Sequence, residues 1–243
     1  MASALPTHPA LLLIADIAGY TRFMKYHAAS LVHAQDVVGQ LLDAMIHAVG
    51  TRLKLVKIEG DAAFFYAPLS DADMTDVKAI TEDMHAAFHA KTADLKENTL
   101  CPCDGCQQTG QLRVKFVGHA GEVVERKVGG SAELAGVSVI LVHRLLKNRV
   151  PLGEYLLVTE PVYATLAVGA RETASALVTD VDDIGRTPTW YLPLAMEDAA
   201  TPARQPLVRR VLRQLGLMRR TVPYVTGRKL ACAGFRNLAE NES

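Results

Sequence analysis

The sequence lacks an excess of either charge: Lys+Arg and Asp+Glu both total 26 over 243 residues. That balance excludes a protein whose whole surface is built for nucleic acid or anionic lipid. A long apolar run is missing too. Leu11-Leu12-Leu13-Ile14-Ala15 is too short to cross a bilayer, has no basic leader and ends at Asp16. It reads as a buried strand and not a signal peptide, so the expected location is the cytoplasm. Cysteine is scarce, with four in all. Three of them fall within six residues, which is not a secreted disulfide framework. There is no internal repeat or low-complexity segment, and no helix-turn-helix or zinc-finger spacing, so nucleic acid is not an expected partner.

What is present is apolar sequence, 49% of the chain, enough for one sizeable core. From Thr201 to Ser243 there are nine basic residues against Glu240 and Glu242, a net of +7 that leaves −7 for residues 1–200. A basic tail follows an acidic body. Two prolines in Thr201–Pro206 mark the joint, so the expected organisation is a domain over 1–200, with an irregular insert at about 98–110, and a basic extension over 201–243.

Residues 10–16 read as a strand, and Gly19 with Thr21 opens a turn into helical sequence. Leu31, Val38, Leu42, Met45 and Val49 share one face of a helix. Arg52–Ile58 and Ala62–Ala67 flank Glu59-Gly60-Asp61, a hairpin with a tight turn. Met74, Val77, Met84 and Phe88 give a second helix, ending at about Lys91. Leu112–His119 and Glu122–Val128 read as two strands joined at Ala120-Gly121, with a helix from about Ser131 to Lys147 behind them. Tyr155–Thr159, Ala176–Asp182 and Thr189–Leu194 read as further strands. This order predicts an α+β sandwich, with helices on one face of a mainly antiparallel sheet.

Two carboxylates carry the chemical reading: Asp16 at the end of the first strand and Asp61 in the hairpin turn. Carboxylates at the ends of adjacent central strands can clamp two divalent ions about 3.5–4 Å apart, which stabilises attacking and leaving oxygens in phosphoryl chemistry. An isolated Asp at a strand end is more often a cap or turn residue, so the neighbouring sequence decides. Asp16-Ile17-Ala18-Gly19-Tyr20-Thr21 resembles the D-I-x-G-F-T segment of class III adenylyl and guanylyl cyclases. Lys57-Ile58-Glu59-Gly60-Asp61-Ala62 resembles their K-x-x-G-D-A hairpin. Phe116–Val123 is similar to their next strand pair, Gly136–Arg144 to their G-x-x-V-N-x-A-x-R helix, and Ile184–Leu192 to their last hairpin. Five segments match in the family's order, over about residues 10–194.

The resemblance implies a ferredoxin-like cyclase-homology sandwich and a set of roles. Asp16 and Asp61, helped by the Ile17 carbonyl, would ligate two Mg or Mn ions, and the turn through Gly19, Tyr20 and Thr21 would cradle a nucleoside triphosphate. Lys57 and Glu133 fall at the base-recognising positions. A lysine donor with a carboxylate acceptor fits an adenine edge, so ATP is the expected substrate, with cyclic AMP and pyrophosphate as products. Arg144 matches the transition-state arginine and Arg186 the triphosphate-binding lysine. Glu133, Gly136, Ile140 and Arg144 are expected on one helix face. Ile140 departs from the pattern: it stands where the family places an Asn that positions the ribose. Either activity is low, His143 or Ser138 substitutes, or the chain binds nucleotide without cyclising it. Family members work as dimers in which one chain supplies the aspartates and the other the base pocket and arginine, so a homodimer is expected.

Cys101, Cys103 and Cys106 form a C-x-C-x-x-C cluster able to hold a zinc ion, whose fourth ligand could be His85, His89, His119, Asp104, Cys232 or a partner-chain residue. The insert is similar to that of an uncharacterised bacterial cyclase-like branch, and its alternative reading is three reduced thiols on a loop. His119 reads as a hydrogen-bonded core histidine. In the tail, Leu207, Val208, Val211, Leu212 and Leu215 follow helical spacing beside Arg204, Arg209, Arg210 and Arg213. Such a helix can lie on a membrane or dock on the acidic body through its apolar face; docking is the expectation.

Overall fold

The computed structural model describes residues 7–26, 31–69, 77–101, 106, 108–129, 131–195 and 202–225. In chain order the elements are β1 (Thr7–Ala18), α1 (Tyr20–Tyr26), α2 (Leu31–Val49), β2 (Lys54–Glu59), β3 (Ala62–Pro68), α3 (Val77–Asn98), β4 (Arg113–Val128) and β5 (Ser131–Ala135). They continue with α4 (Val137–Arg144), β6 (Tyr155–Thr159), α5 (Glu160–Tyr163), α6 (Val168–Thr173), β7 (Ser175–Val181), β8 (Gly185–Pro193) and α7 (Leu207–Val225). Two compact units result. One holds the described residues of 1–18, 44–88 and 113–197, the other those of 19–43, 89–112 and 198–243.

The first unit is an eight-stranded sheet in the order β2-β3-β1-β4-β6-β8-β7, with β5 pairing β4 at its far end. Every pairing is antiparallel except β4 with β6. β1 is central, and its residues Ala10–Ala15 are at most 1% exposed. Such a strand does not alternate in sequence because both of its faces are covered. Leu12 and Ile14 join Phe64, Tyr66 and Val117 in a cluster with Leu141, Val142 and Leu145 at α4. Leu13, of opposite parity, lies with Val77 of α3 and Val158 around Gly118. Helices therefore cover both faces, where the sequence pattern placed them on one.

Two sequence readings are corrected here. Residues 112–128 do not make two strands turning at Ala120-Gly121; β4 runs unbroken, and its end pairs with β5, Val124 opposite Ala135 through Val128 opposite Ser131. Gly121 serves close approach and not a turn. A Cβ there would collide with Ser138 Oγ and stand 2.8 Å from His119 Nε2, so its absence lets α4 sit directly on the strand. The helix expected from Ser131 starts only at Val137. Gly136, at φ 136°, breaks the chain between β5 and α4, and its hydrogen position faces the Glu122 carbonyl. Glu133 is therefore a strand residue and does not share a helix face with Ile140 and Arg144.

In the second unit, α7 docks against the end of α3. The last carbonyls of a helix have no partner within it, and the buried Arg210 supplies one: Nε donates to the Asn98 carbonyl at 3.4 Å and Nη2 to that of Glu97 at 3.3 Å. The Gln205 N–H donates to Asn98 Oδ1 at 2.8 Å, and Arg213 Nη2 donates to Gln40 Oε1 at 2.6 Å. The tail docks through its arginines. Its apolar stripe, Leu207, Val208, Leu212 and Leu215, remains exposed, which reverses the face expected from the pattern. Among the described residues no helix is long and apolar enough to cross a membrane.

Candidate functional site

β1 ends at the point where the β2–β3 turn folds over it. Asp16 is paired in register with Ala62 on β3 and Lys115 on β4. Asp61 sits in the turn, held by the Ile17 N–H, which donates to the Asp61 carbonyl at 3.1 Å. Gly60, at φ 66°, makes the tight reversal. The structure thus brings Asp16, Ile17 and Asp61 together. Burial and the negative charge of Asp16 push the Asp61 carboxyl up to about 6, and a backbone hydrogen bond and Lys115 offset this only in part. A carboxylate whose proton affinity is raised by burial and by a neighbouring carboxylate marks a site where a cation would be favoured. Their oxygens are the hard donors that Mg and Mn prefer, so the residues fit the ions the sequence implied.

Lys115 was not singled out from sequence. Its Nζ lies 3.0 Å from Asp16 Oδ2, and it also donates to the Leu146 carbonyl at 3.2 Å. The signal was present: Lys115 stands between the fully buried Val114 and Phe116, so strand alternation sends it to the opposite face of β4.

The other expected site residues do not ion-pair with Asp16 or Asp61. Lys57 pairs with Glu59 at 2.6 Å, and Arg144 with the exposed Asp183 at 2.9 Å. Arg186 is exposed on β8, across from Asp180. Glu133 lines a cleft of about 320 Å³ with Lys54, Val56, Tyr66 and Glu125, and the lysine lining that cleft is Lys54, not Lys57. On α4, His143 Nε2 lies 3.2 Å from Glu59, and its ring packs edge-on against Phe64. Ser138 is buried under Gly121, and Ile140 is 49% exposed. His119 accepts or donates one hydrogen bond with Thr159 Oγ1 at 2.7 Å, and burial lowers its pKa to about 4, as suits a core histidine. In the second unit, Gly19 adopts φ 87° and accepts from the Phe23 N–H. The Tyr20 hydroxyl accepts from Gln35, and Thr21 is exposed.

The cysteine cluster gains a member the sequence reading missed. His33 of α2, Cys101 and Cys106 place their ligand atoms within 4.8 Å of one another. Cys103, Asp104 and Cys232 lie outside the described residues. His85 is paired with Glu154 at 3.3 Å, and His119 with Thr159, so neither completes the cluster. His33 escaped notice because it stands 73 residues before Cys106, and no local spacing links them.

Residues 38–155 match a family model described as a protein of unknown function, DUF2652. Over 203 residues the chain is 41% identical to the uncharacterised protein Rv2561/Rv2562 of Mycobacterium tuberculosis (strain ATCC 25618 / H37Rv), covering 83% of this chain and 94% of that one. The chain belongs to the family of that mycobacterial protein. Among solved structures, this Rv2561/Rv2562 relative is similar to a bacterial light-regulated adenylyl cyclase, with a TM-score of 0.62 at 14% identity over 89% of this chain and 58% of the other. It is also similar to the guanylyl cyclase Cya2, with a TM-score of 0.59 at 14% identity over 81% and 97% of the two chains. The fold is that of a class III cyclase homology domain.

Proposed function

We propose that this member of the Rv2561/Rv2562 family is a metal-dependent nucleotidyl cyclase that works as a homodimer and converts a purine nucleoside triphosphate, by preference ATP, to its 3′,5′-cyclic nucleotide and pyrophosphate. The observation that carries the reading is the convergence of Asp16 and Asp61 at the end of β1, with the Asp61 carboxyl raised to about 6 by burial and by its neighbour. Asp16, Asp61 and the Ile17 carbonyl would hold the Mg or Mn ions. Bound there, the ions supply Lewis-acid polarisation of the α-phosphate and of the ribose 3′-hydroxyl.

In the reaction the 3′-oxygen bonds to the α-phosphorus, the bond from that phosphorus to the β-phosphate oxygen breaks, and the hydroxyl proton is released. The Arg144 guanidinium meets the charge that develops on the phosphoryl oxygens, and Arg186 binds the leaving phosphates. Glu133, with a lysine donor from β2, reads the base. Lys115 holds Asp16 in place until the ions compete for it.

The dimer is supported by apolar side chains left exposed around α4. Val137 and Ile140 are 67% and 49% exposed. The Glu59–His143 and Arg144–Asp183 pairs bring Ile58 and Ile184, also exposed, to the same region. A second copy covering this patch would present its Arg144 to the facing aspartate pair, which a lone chain does not do.

Ile140 favours a second reading. An apolar side chain can make no hydrogen bond to the ribose, and losing one such contact costs about 10²–10³ in rate, so the chain could bind nucleotide and act through a partner without turnover. Incubating the protein with Mn²⁺ and each nucleoside triphosphate in turn, with mass spectrometry for cyclic product, separates the two. Product that is lost in Asp16→Ala and Asp61→Ala is expected. A folded, dimeric wild type that makes none from any triphosphate would leave only the second reading.

A further inference from the structure

The insert that follows α3 carries chemistry the cyclase reading does not use. His33 is 7% exposed on α2. Cys106 Sγ stands 3.1 Å from its Nε2 and 3.9 Å from its Nδ1. Cys101 completes a set whose ligand atoms all lie within 4.8 Å of one another, inside one compact unit. Zinc binds thiolate at about 2.3 Å and imidazole at about 2.0–2.1 Å, so tetrahedral coordination sets neighbouring donor atoms about 3.5–3.8 Å apart. The cluster is at that scale. A thiol and an imidazole alone would also suit a reactive cysteine. A second sulfur converging on the same point does not serve such a pair, but it is what a soft-donor metal site requires.

We propose that His33, Cys101 and Cys106 bind one zinc ion, which ties α2 to the segment after α3. Among the described residues between α3 and β4 there is no strand: Cys106 and Gln108 are helical and Thr109–Gln111 form a 3₁₀ turn, so the ion would tie α2 to a segment that the sheet does not hold. The same end of α3 receives Arg210 through the Glu97 and Asn98 carbonyls, so zinc would steady the surface on which α7 docks. Its role is structural: the carboxylates of the cyclase site belong to the other unit.

The test is metal content. Full-length protein purified under reducing conditions and dialysed against metal-free buffer should retain about one zinc per chain by mass spectrometry of the metals. Cobalt exchanged into it should give the thiolate-to-metal charge-transfer absorption and tetrahedral visible bands of a sulfur- and imidazole-bound ion. His33→Ala and Cys106→Ser should each lose the zinc, with affinity lower by at least about tenfold. Asp16→Ala should keep it, which separates this site from the cyclase site. Folded wild type that takes up no zinc when reconstituted, zinc retained in His33→Ala, or a cobalt spectrum without sulfur charge transfer would overturn the proposal, as would a Cys101–Cys106 disulfide in the reduced preparation.

Discussion

The aspartate pair and the histidine–cysteine cluster are built in opposite ways. Asp16 and Asp61 are hard oxygen donors fixed by strands, with the Ile17–Asp61 backbone hydrogen bond and the buried Ala10–Ala15 run of β1 beneath them. His33, Cys101 and Cys106 offer one borderline imidazole and two soft thiolates, drawn from α2 and the segment after α3. A sheet positions its ligands before any ion arrives; a loop needs the ion to hold its shape. The aspartate site should therefore tolerate ion removal without unfolding, whereas the cluster should not.

The largest expected effect is on rate. Asp16→Ala should lower Mn²⁺-dependent cyclisation by at least about 10²-fold while leaving zinc content and urea stability near wild type, and His33→Ala should do the converse. A zinc loss in Asp16→Ala would erase the contrast. Next comes packing at the sheet. Gly121→Ala sets a methyl into Ser138 Oγ and against His119, an overpacking that should cost about 1–3 kcal/mol, read from the urea midpoint.

Acid titration sharpens the comparison within the first unit, because the half-buried Asp61 and the buried His119 act in opposite senses. Asp61 is raised from 3.8 to about 6, so the folded state binds its proton more tightly; that stability is present at low pH and is lost as pH rises from about 4 to 6. His119 is lowered from 6.5 to about 4, so its contribution is present above about 6.5 and is lost as pH falls to 4. At about 1.4 kcal/mol per unit His119 contributes roughly 3.5 kcal/mol at most, and the half-exposed Asp61 less than roughly 3 kcal/mol because solvent screens it, so the two slopes oppose and largely offset each other. Metal-free Asp61→Asn should lose stability on acidification more steeply than wild type between pH 6.5 and 4. An unchanged slope would mean that Asp61 titrates normally. The smallest effects lie on α7: Arg210→Ala, which orphans the Glu97 and Asn98 carbonyls, should cost about 1–3 kcal/mol, and Leu212→Ala, 62% exposed, no more than about 0.5 kcal/mol. Comparable losses in a thermal melt would mean that the apolar stripe is covered after all.

Local pattern made much of the sheet unit legible. The β2–β3 hairpin and the run that becomes β1 could be read because a Gly-containing turn separates β2 from β3 and Asp16 closes the apolar run of β1, two residues before the strand ends at Ala18. The errors came where one local signal served a distant purpose. Gly121 looked like a turn glycine, but it answers to Ser138 on another element. The helical spacing of Glu133, Gly136, Ile140 and Arg144 ran through residues that β4 recruits as a partner strand, so Glu133 was placed on the wrong element. The arginines of α7 looked like its solvent face because nothing local reveals that the end of α3 needs donors. Asp16 and Asp61 were visible because each interrupts an apolar pattern, Asp16 near the end of β1 and Asp61 in the β2–β3 turn. The raised proton affinity of Asp61, Lys115 as counter-charge to Asp16 and His33 beside Cys106 all depend on contacts between segments far apart in the chain.

The central place of β1 also governs how the molecule is born. Its two neighbours are β3 and β4, and the β4 register joins Ala18 to Arg113 and Thr7 to Val124. On a ribosome adding about 5–20 residues per second, one apolar edge of β1 waits roughly 5–20 s for its partner to emerge. During that interval an unpaired edge of Leu and Ile is a template for other chains. A nascent-chain chaperone, or a slowed passage through residues 69–112, would bear on the yield of this protein far more than on its final stability.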